Sequence, residues 1–226
     1  EGKPLSEIIR GSGIGMQQAA EWVRDLADAL AYAHKAGIVH RDIKPHNVMI
    51  DTANQPYLMD FGLAKRSNDD SAVTTDGSLL GTPAYMSPEQ ARGELSSVGP
   101  ASDQYSLGVV LYELLTGHKP FEGSPHVVIG LVAGQEPTTP RSLRSQIPKD
   151  LEAICQKAMN RSQTGRYADC DALARDLSRW LDGRSTLARP LNPMDQVIRW
   201  LRRHVAISGL LAAIVLLITL VSILVT

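Results

Sequence analysis

The chain has 226 residues, 43% apolar, 21% charged and 5% aromatic, which suits one well-cored domain plus an appendage and excludes a disordered or low-complexity polypeptide. The formal net charge is −1, so nothing marks a nucleic-acid binder, yet the charge is uneven: residues 184–204 hold five arginines against one acid, Asp195, and residues 1–183 hold 18 bases and 23 acids. Two well-separated cysteines, Cys155 and Cys170, supply neither a disulfide framework nor a metal cluster and read as small buried hydrophobes.

A short helix is expected around Leu5–Ile9. The glycines of GSGIG, Gly11, Gly13 and Gly15, have the look of a phosphate-cradling loop. Their place between that helix and a longer one makes them a connector instead. From Met16 to Lys35, apolar Val23, Leu26, Ala27, Leu30 and Ala33 recur at helical spacing, and Gly37 follows as a stop. The runs IVH, NVMI and PYLMD are too short for helices and are bounded by turn residues, so they read as small strands and loops, with DTANQPY as a turn. Residues 63–83, rich in Ser, Thr, Asp and Gly, read as a long functional loop. SDQYSLGVVLYELLTG is a strongly apolar helix closed by Gly117. SPHVVIGLVAG opens with Ser124 as N-cap and Pro125 at the first helical position. KDLEAICQKAMN and YADCDALARDLSRWL are two further amphipathic helices.

Val205–Val225 contains no charged residue. At about 1.5 Å per residue it reaches roughly 30 Å, the thickness of a bilayer core. The preceding RWLRRH, Arg199–His204, is basic, which sets the N-terminal part on the cytoplasmic side, with Trp200 as an interfacial anchor. The expectation is a single-pass protein of the cell (inner) membrane. The chain ends one residue beyond this span, as expected of a piece of a longer protein. The arginine-rich 184–204 segment sets topology and adds attraction to anionic lipid headgroups.

The chemistry concentrates in HRDIKPHN, residues 40–47, and DFG, residues 60–62. Asp42 offers a carboxylate able to take a hydroxyl proton, and Lys44 an ammonium able to neutralise a phosphate. Asn47 and Asp60 offer hard oxygen ligands suited to Mg²⁺, brought together across a hairpin. A base, a cation and two Mg²⁺ ligands are the parts phosphoryl transfer requires. Each residue alone is more ordinary: a turn aspartate, a cap, a surface acid. Their joint order and spacing is not.

The set HRDIKPHNVMI, MDFGLAK, GTPAYMSPEQARG, SDQYSLGVVLYELLTGHKPF and GRY resembles the eukaryotic-like serine/threonine protein kinases of bacteria, over residues 1–183. The resemblance implies a mainly α fold: a kinase C-terminal lobe with a short β-hairpin catalytic platform, then a basic juxtamembrane segment (184–204) and one transmembrane helix (205–225). It implies Asp42 as catalytic base, Lys44 on the γ-phosphate, Asn47 and Asp60 as Mg²⁺ ligands, and Met49 as floor of the adenine pocket. Arg41 precedes the base, as in kinases switched by phosphorylation of a loop threonine, here Thr74 or Thr75. Thr82 belongs to the substrate-docking segment near Asp42 and Lys44. Glu89, in SPE where the family usually has Ala-Pro-Glu, pairs with Arg166, and Asp103 braces the backbone at His40–Arg41. His40 and Phe61 read as packing elements between the two loops, and His34, His46, His118, His126 and His204 as solvent-facing or capping.

ATP and Mg²⁺ are the implied cofactors. Protein substrates with Ser or Thr hydroxyls and the bilayer are the implied partners, with dimerisation for phosphorylation of one copy by another as a further expectation. Neither a glycine-rich phosphate loop nor a strand lysine of the VAIK kind occurs in the 226 residues. The expectation is therefore a C-terminal lobe that does not transfer phosphate by itself. The alternative is a membrane-anchored pseudokinase that scaffolds partners, against which the intact Asp42, Lys44, Asn47 and Asp60 argue.

Overall fold

A computed structural model describes residues 2–11, 13–61 and 83–189. One compact unit runs from Glu1 to Arg189. A second, Pro190–Thr226, lies outside the described residues, as do the expected span at Val205–Val225 and most of the basic segment. Among the described residues no helix is long and apolar enough to cross a membrane.

The helical reading of the sequence is met closely. Helix α1 covers Leu5–Gly11 and α2 covers Met16–Lys35. In α2 the stripe Ala19, Val23, Leu26, Ala27 and Leu30 has no solvent exposure, and the outer face carries the polar residues, the pattern that drives an amphipathic helix onto a core. An added Cβ at Gly11, Gly13 or Gly15 meets no atom within 4 Å, so no close approach among the described residues requires a glycine at these positions.

Helix α3 is one turn, Pro88–Ala91, and α4 spans Pro100–Thr116. Every residue of α4 from Ser102 to Leu115 is buried, which makes it the axis of the unit. It ends at Gly117 in the left-handed conformation (φ 78°), whose N–H returns to the Glu113 carbonyl. Helices α5 (Pro125–Gly134), α6 (Pro140–Leu143), α7 (Lys149–Ala158) and α8 (Cys170–Leu181) complete the unit. Ser124 stands at the N-cap of α5 as its sequence suggests, but its side chain makes no capping bond there. Asp169 does cap α8, accepting from the Ala172 N–H. Helices α2, α4, α7 and α8 share one apolar core that includes both unpaired cysteines.

The small sheet has one strand more than the sequence suggested. Strands β2 (Val48–Asp51) and β3 (Pro56–Leu58) form the expected hairpin, and β1 (Gly2–Pro4) adds antiparallel on the other edge of β2, with Lys3 opposite Ile50. Gly-Lys-Pro has neither alternation nor β-branched residues, so only its partner strand makes it extended. Val48 and Ile50 face the core. The hairpin turn is built by the Asp51 carboxylate, which accepts from Ala53 and Gln55 N–H. The Trp22 indole N–H donates to the Asn54 carbonyl at 3.0 Å, pinning this turn to α2.

At Gly108, α4 comes close to the C-terminal end of α7. A Cβ there would lie 2.8 Å from Met159 Cγ and 3.0 Å from Ala158 Cβ. Gly108→Ala gains roughly 1 kcal/mol in helix propensity but overpacks a site where Ala158 cannot rotate away, costing roughly 1–3 kcal/mol. The variant is expected to unfold at lower urea concentration than the parent sequence.

Candidate active site

The loop between α2 and β2 is held from below by one carboxylate. Asp103, in the first turn of α4 and 1% exposed, accepts from the His40 N–H at 2.8 Å and from the Arg41 N–H at 2.7 Å. These bonds hold Arg41 in the left-handed region, φ 67°, an uncommon conformation for a non-glycine residue that needs such outside support. The chain then turns so that Asp42 faces outward while Ile43 is buried.

His34 corrects the sequence reading. It is neither solvent-facing nor a cap: its Nε2 lies 2.8 Å from Asp103 Oδ2, and its side chain is 8% exposed. Its residue number gave no hint of this, because Asp103 is 69 positions away. His40 behaves as expected of a packing element. Its ring meets Phe61 at 4.9 Å between centroids, and its Nε2 lies 2.9 Å from the Met59 carbonyl.

Asp42, Lys44 and Asn47 form one hydrogen-bonded cluster. Lys44 Nζ donates to Asp42 Oδ2 at 2.7 Å, and Asn47 Nδ2 donates to the same oxygen at 3.1 Å and to the Asp42 carbonyl at 2.8 Å. Asp42 Oδ1 has no partner among the described residues, and the Asp42 side chain is 54% exposed. A one-turn 3-10 helix, Pro45–Asn47, carries Asn47 into β2. Across the open end of the hairpin the Met59 N–H donates to the Asn47 carbonyl at 2.9 Å, which sets the exposed Asp60 beside Asn47 in the chain path. Asp60 is also left-handed, φ 59°. Met49 lies opposite Tyr57, on the sheet face away from the buried Val48 and Ile50.

A second set of contacts anchors the segment after residue 82. Ser87 and Gln90 form a reciprocal capping box that starts α3. Within it, Glu89 meets Arg166 in a two-pronged pair, 2.8 and 2.9 Å, with both side chains buried, and Ser102 adds a 2.7 Å bond to Glu89. Burial pushes the Glu89 carboxyl up, but the hydrogen bonds from Arg166 and Ser102 and the guanidinium charge outweigh it and hold the group down at about 2. Two links that the sequence did not suggest complete the anchor. The Tyr85 phenol donates to the buried Glu113 at 2.6 Å, and burial with the Glu113 charge pushes that phenol far up. Gln90 Nε2 donates to the Arg41 carbonyl at 2.9 Å, joining this segment to the Asp42 loop.

Thr74, Thr75 and Thr82 lie outside the described residues. The Arg41 side chain is exposed, and its guanidinium has no ion-pair partner among the described residues. The Asn47 amide nitrogen is committed to Asp42, which leaves its amide oxygen, with the Asp60 carboxylate, as the donors of the kind a hard cation takes.

Residues 1–177 match the model of the protein kinase domain. The chain is 42% identical over 181 residues to a serine/threonine-protein kinase (PknB) of Mycobacterium leprae, covering 79% of this chain and 29% of that protein. It is 39% identical over 188 residues to the corresponding kinase of Mycolicibacterium smegmatis, covering 82% and 30%. The chain thus spans about three tenths of the length of these relatives.

The depressed Glu89 pKa makes stability pH-dependent. Its contribution is complete above the ordinary value of 4.5 and is lost as pH falls toward about 2. Glu89→Gln is expected to flatten the fall in unfolding free energy between those values. At pH 7 it should cost about 3–5 kcal/mol, because Arg166 is left buried and unpaired. Urea titrations at stepped pH read both effects.

Proposed function

This chain belongs to the protein kinase family, and we propose that the protein it forms transfers the γ-phosphoryl group of ATP to Ser and Thr hydroxyls of protein substrates. The observation that carries the reading is the Asp42–Lys44–Asn47 cluster, one carboxylate oxygen tied down and the other facing out. Asp42 Oδ2 is occupied by Lys44 and Asn47, so Oδ1 is the oxygen left to orient an incoming hydroxyl and take its proton as the oxygen attacks phosphorus. Lys44 lies where it can follow the developing phosphate charge while still fixing the carboxylate. Asn47 and Asp60 would hold Mg²⁺, and Met49 would form the floor beneath the adenine. Mg²⁺ and ATP, when bound, supply the transferable group and its counter-charge. The rest of the catalytic contribution is positioning.

The same reading extends to the parts of the chain outside the described residues. Phosphorylation of Thr74 or Thr75 would give the exposed Arg41 a dianion to grip, and Thr82 would lie near the acceptor hydroxyl. Val205–Val225 would anchor the protein in the inner membrane with the catalytic part cytoplasmic, residues 184–204 would touch anionic lipid, and phosphorylation between copies would require a dimer. A phosphate-covering loop and a strand lysine are absent from the 226 residues, so this chain by itself should not turn over.

In a longer form that carries those elements, Asp42→Asn is expected to lower peptide phosphorylation by roughly 10²–10⁴-fold with little change in thermal midpoint. The 226 residues alone are expected to incorporate no phosphate, and measurable incorporation abolished by Asp42→Asn would overturn that statement. The double change Thr74→Ala/Thr75→Ala in the active form is expected to reduce activity and to remove the loop phosphopeptide from mass spectra. Full activity in that variant would assign the switch elsewhere.

A further inference from the structure

The residues after α8 do not leave the lobe at once. Arg184 N–H returns to the Arg179 carbonyl at 2.8 Å, and Arg179 Nε donates to the Ser185 carbonyl at 2.7 Å. The chain then lies across Asp176, a carboxylate with no solvent exposure. Asp176 accepts from the Leu187 N–H at 2.5 Å, the Ala188 N–H at 2.9 Å and the Tyr167 phenol at 2.7 Å. Arg189 completes the docking with an ion pair to Asp150 at 3.1 Å. These residues form a strap, Arg184–Arg189, that belongs to the compact unit and leads directly into the apolar, basic segment beyond it.

The partners of Asp176 continue toward the active site. Tyr167 is clamped to α4 through Gln104, which accepts from its N–H at 2.9 Å and donates to its carbonyl at 3.3 Å. Its chain neighbour is Arg166, the partner of Glu89 in the segment that Gln90 ties to the Arg41 carbonyl. Gln104 is itself the neighbour of Asp103. A path of hydrogen bonds thus runs from the strap through Asp176 to Tyr167, passes along the chain to Arg166, and continues by hydrogen bonds to Glu89.

The strap also carries a feature that works against its own docking. Thr186 is 3% exposed, and its hydroxyl has no hydrogen-bond partner among the described residues. Burying that group forfeits its water without replacement, so docking by Asp176 is partly offset. A segment held by strong bonds and loosened by one unsatisfied group is suited to leave and return.

We propose that the Arg184–Arg189 strap is a positioning element that couples the chain beyond residue 189 to the Glu89–Arg166 anchor of the docking segment, with Asp176 and Tyr167 as the coupling residues. Tension or capture of the downstream segment at a membrane surface lifts the strap, frees Tyr167 and loosens the segment around Glu89. By linkage, whatever tightens that segment also tightens the strap. The coupling within the unit stands on these contacts, its effect on substrate docking rests on the kinase reading, and capture at a membrane rests on the proposed span at Val205–Val225.

Hydrogen exchange of the full 226-residue chain in mild detergent tests the coupling without any assay of activity. Thr186→Val removes the unpartnered hydroxyl at nearly constant volume. It is expected to slow exchange of the Leu187 and Ala188 amides, and to slow the Ser87–Ala91 segment with them by about threefold. Asp176→Asn is expected to act in the opposite direction, speeding the strap amides by roughly tenfold. Tyr167→Phe in the Thr186→Val background should keep the strap effect and abolish the response at Ser87–Ala91, with the hairpin at 48–58 unchanged throughout. A strap that responds to Thr186→Val while Ser87–Ala91 does not would overturn the proposal. So would a hairpin that shifts by the same factor, which would reveal a change in global stability alone. If Asp176→Asn does not fold, the Thr186→Val and Tyr167→Phe pair decides the question.

Discussion

The Asp103 carboxylate is the constraint on which the site depends. A fully buried charge is costly unless every lone pair is used, and here the cost is met by two backbone N–H groups of the His40–Asn47 loop and the His34 imidazole. Charge-assisted bonds of this kind contribute about 1.5–3 kcal/mol each. That is enough to keep Arg41 in an unfavourable backbone region, for which the cost is of order 1–3 kcal/mol. The orientation of Asp42 is set by this arrangement: the strained residue precedes it, and the buried Ile43 follows it.

The same logic repeats along α4. Ser102 holds Glu89, Asp103 holds the Asp42 loop, Gln104 holds Tyr167, Ser106 donates to the Tyr85 carbonyl at 2.7 Å, and Glu113 accepts from the Tyr85 phenol. An all-round buried helix ordinarily presents only apolar side chains. In α4 the polar exceptions are the points at which loops far apart in sequence are fixed to one rigid axis. The core and the site are therefore not separable, because the helix buried without a break from Ser102 to Leu115 also supplies the brackets.

Much of this was legible in the sequence, and what was not follows a physical pattern. Helices α2, α4, α5, α7 and α8 announced themselves through periodicity, N-caps and closing glycines, since those signals are local. The Asp42–Lys44–Asn47 cluster was legible because three side chains within six residues can meet only on one loop. The Glu89–Arg166 pair and the Asp103 brace were reached through the resemblance, not through spacing. Strand β1, His34, Gln90, the Tyr85–Glu113 bond and the docking of Leu187 and Ala188 on Asp176 were missed. Each depends on a partner many positions away or on an edge supplied by another strand, and no periodicity encodes such a partner.

The use of backbone N–H groups by Asp103 has a consequence for how such a site can diversify. The carboxylate grips peptide groups at His40 and Arg41, and a peptide group is the same whatever side chain it bears. Side chains in the loop can change while the path of the chain is inherited unchanged. The heritable record of that path lies in a helix more than sixty residues downstream, so the part of the protein that sets the loop's shape and the part that sets its chemistry can evolve on separate schedules.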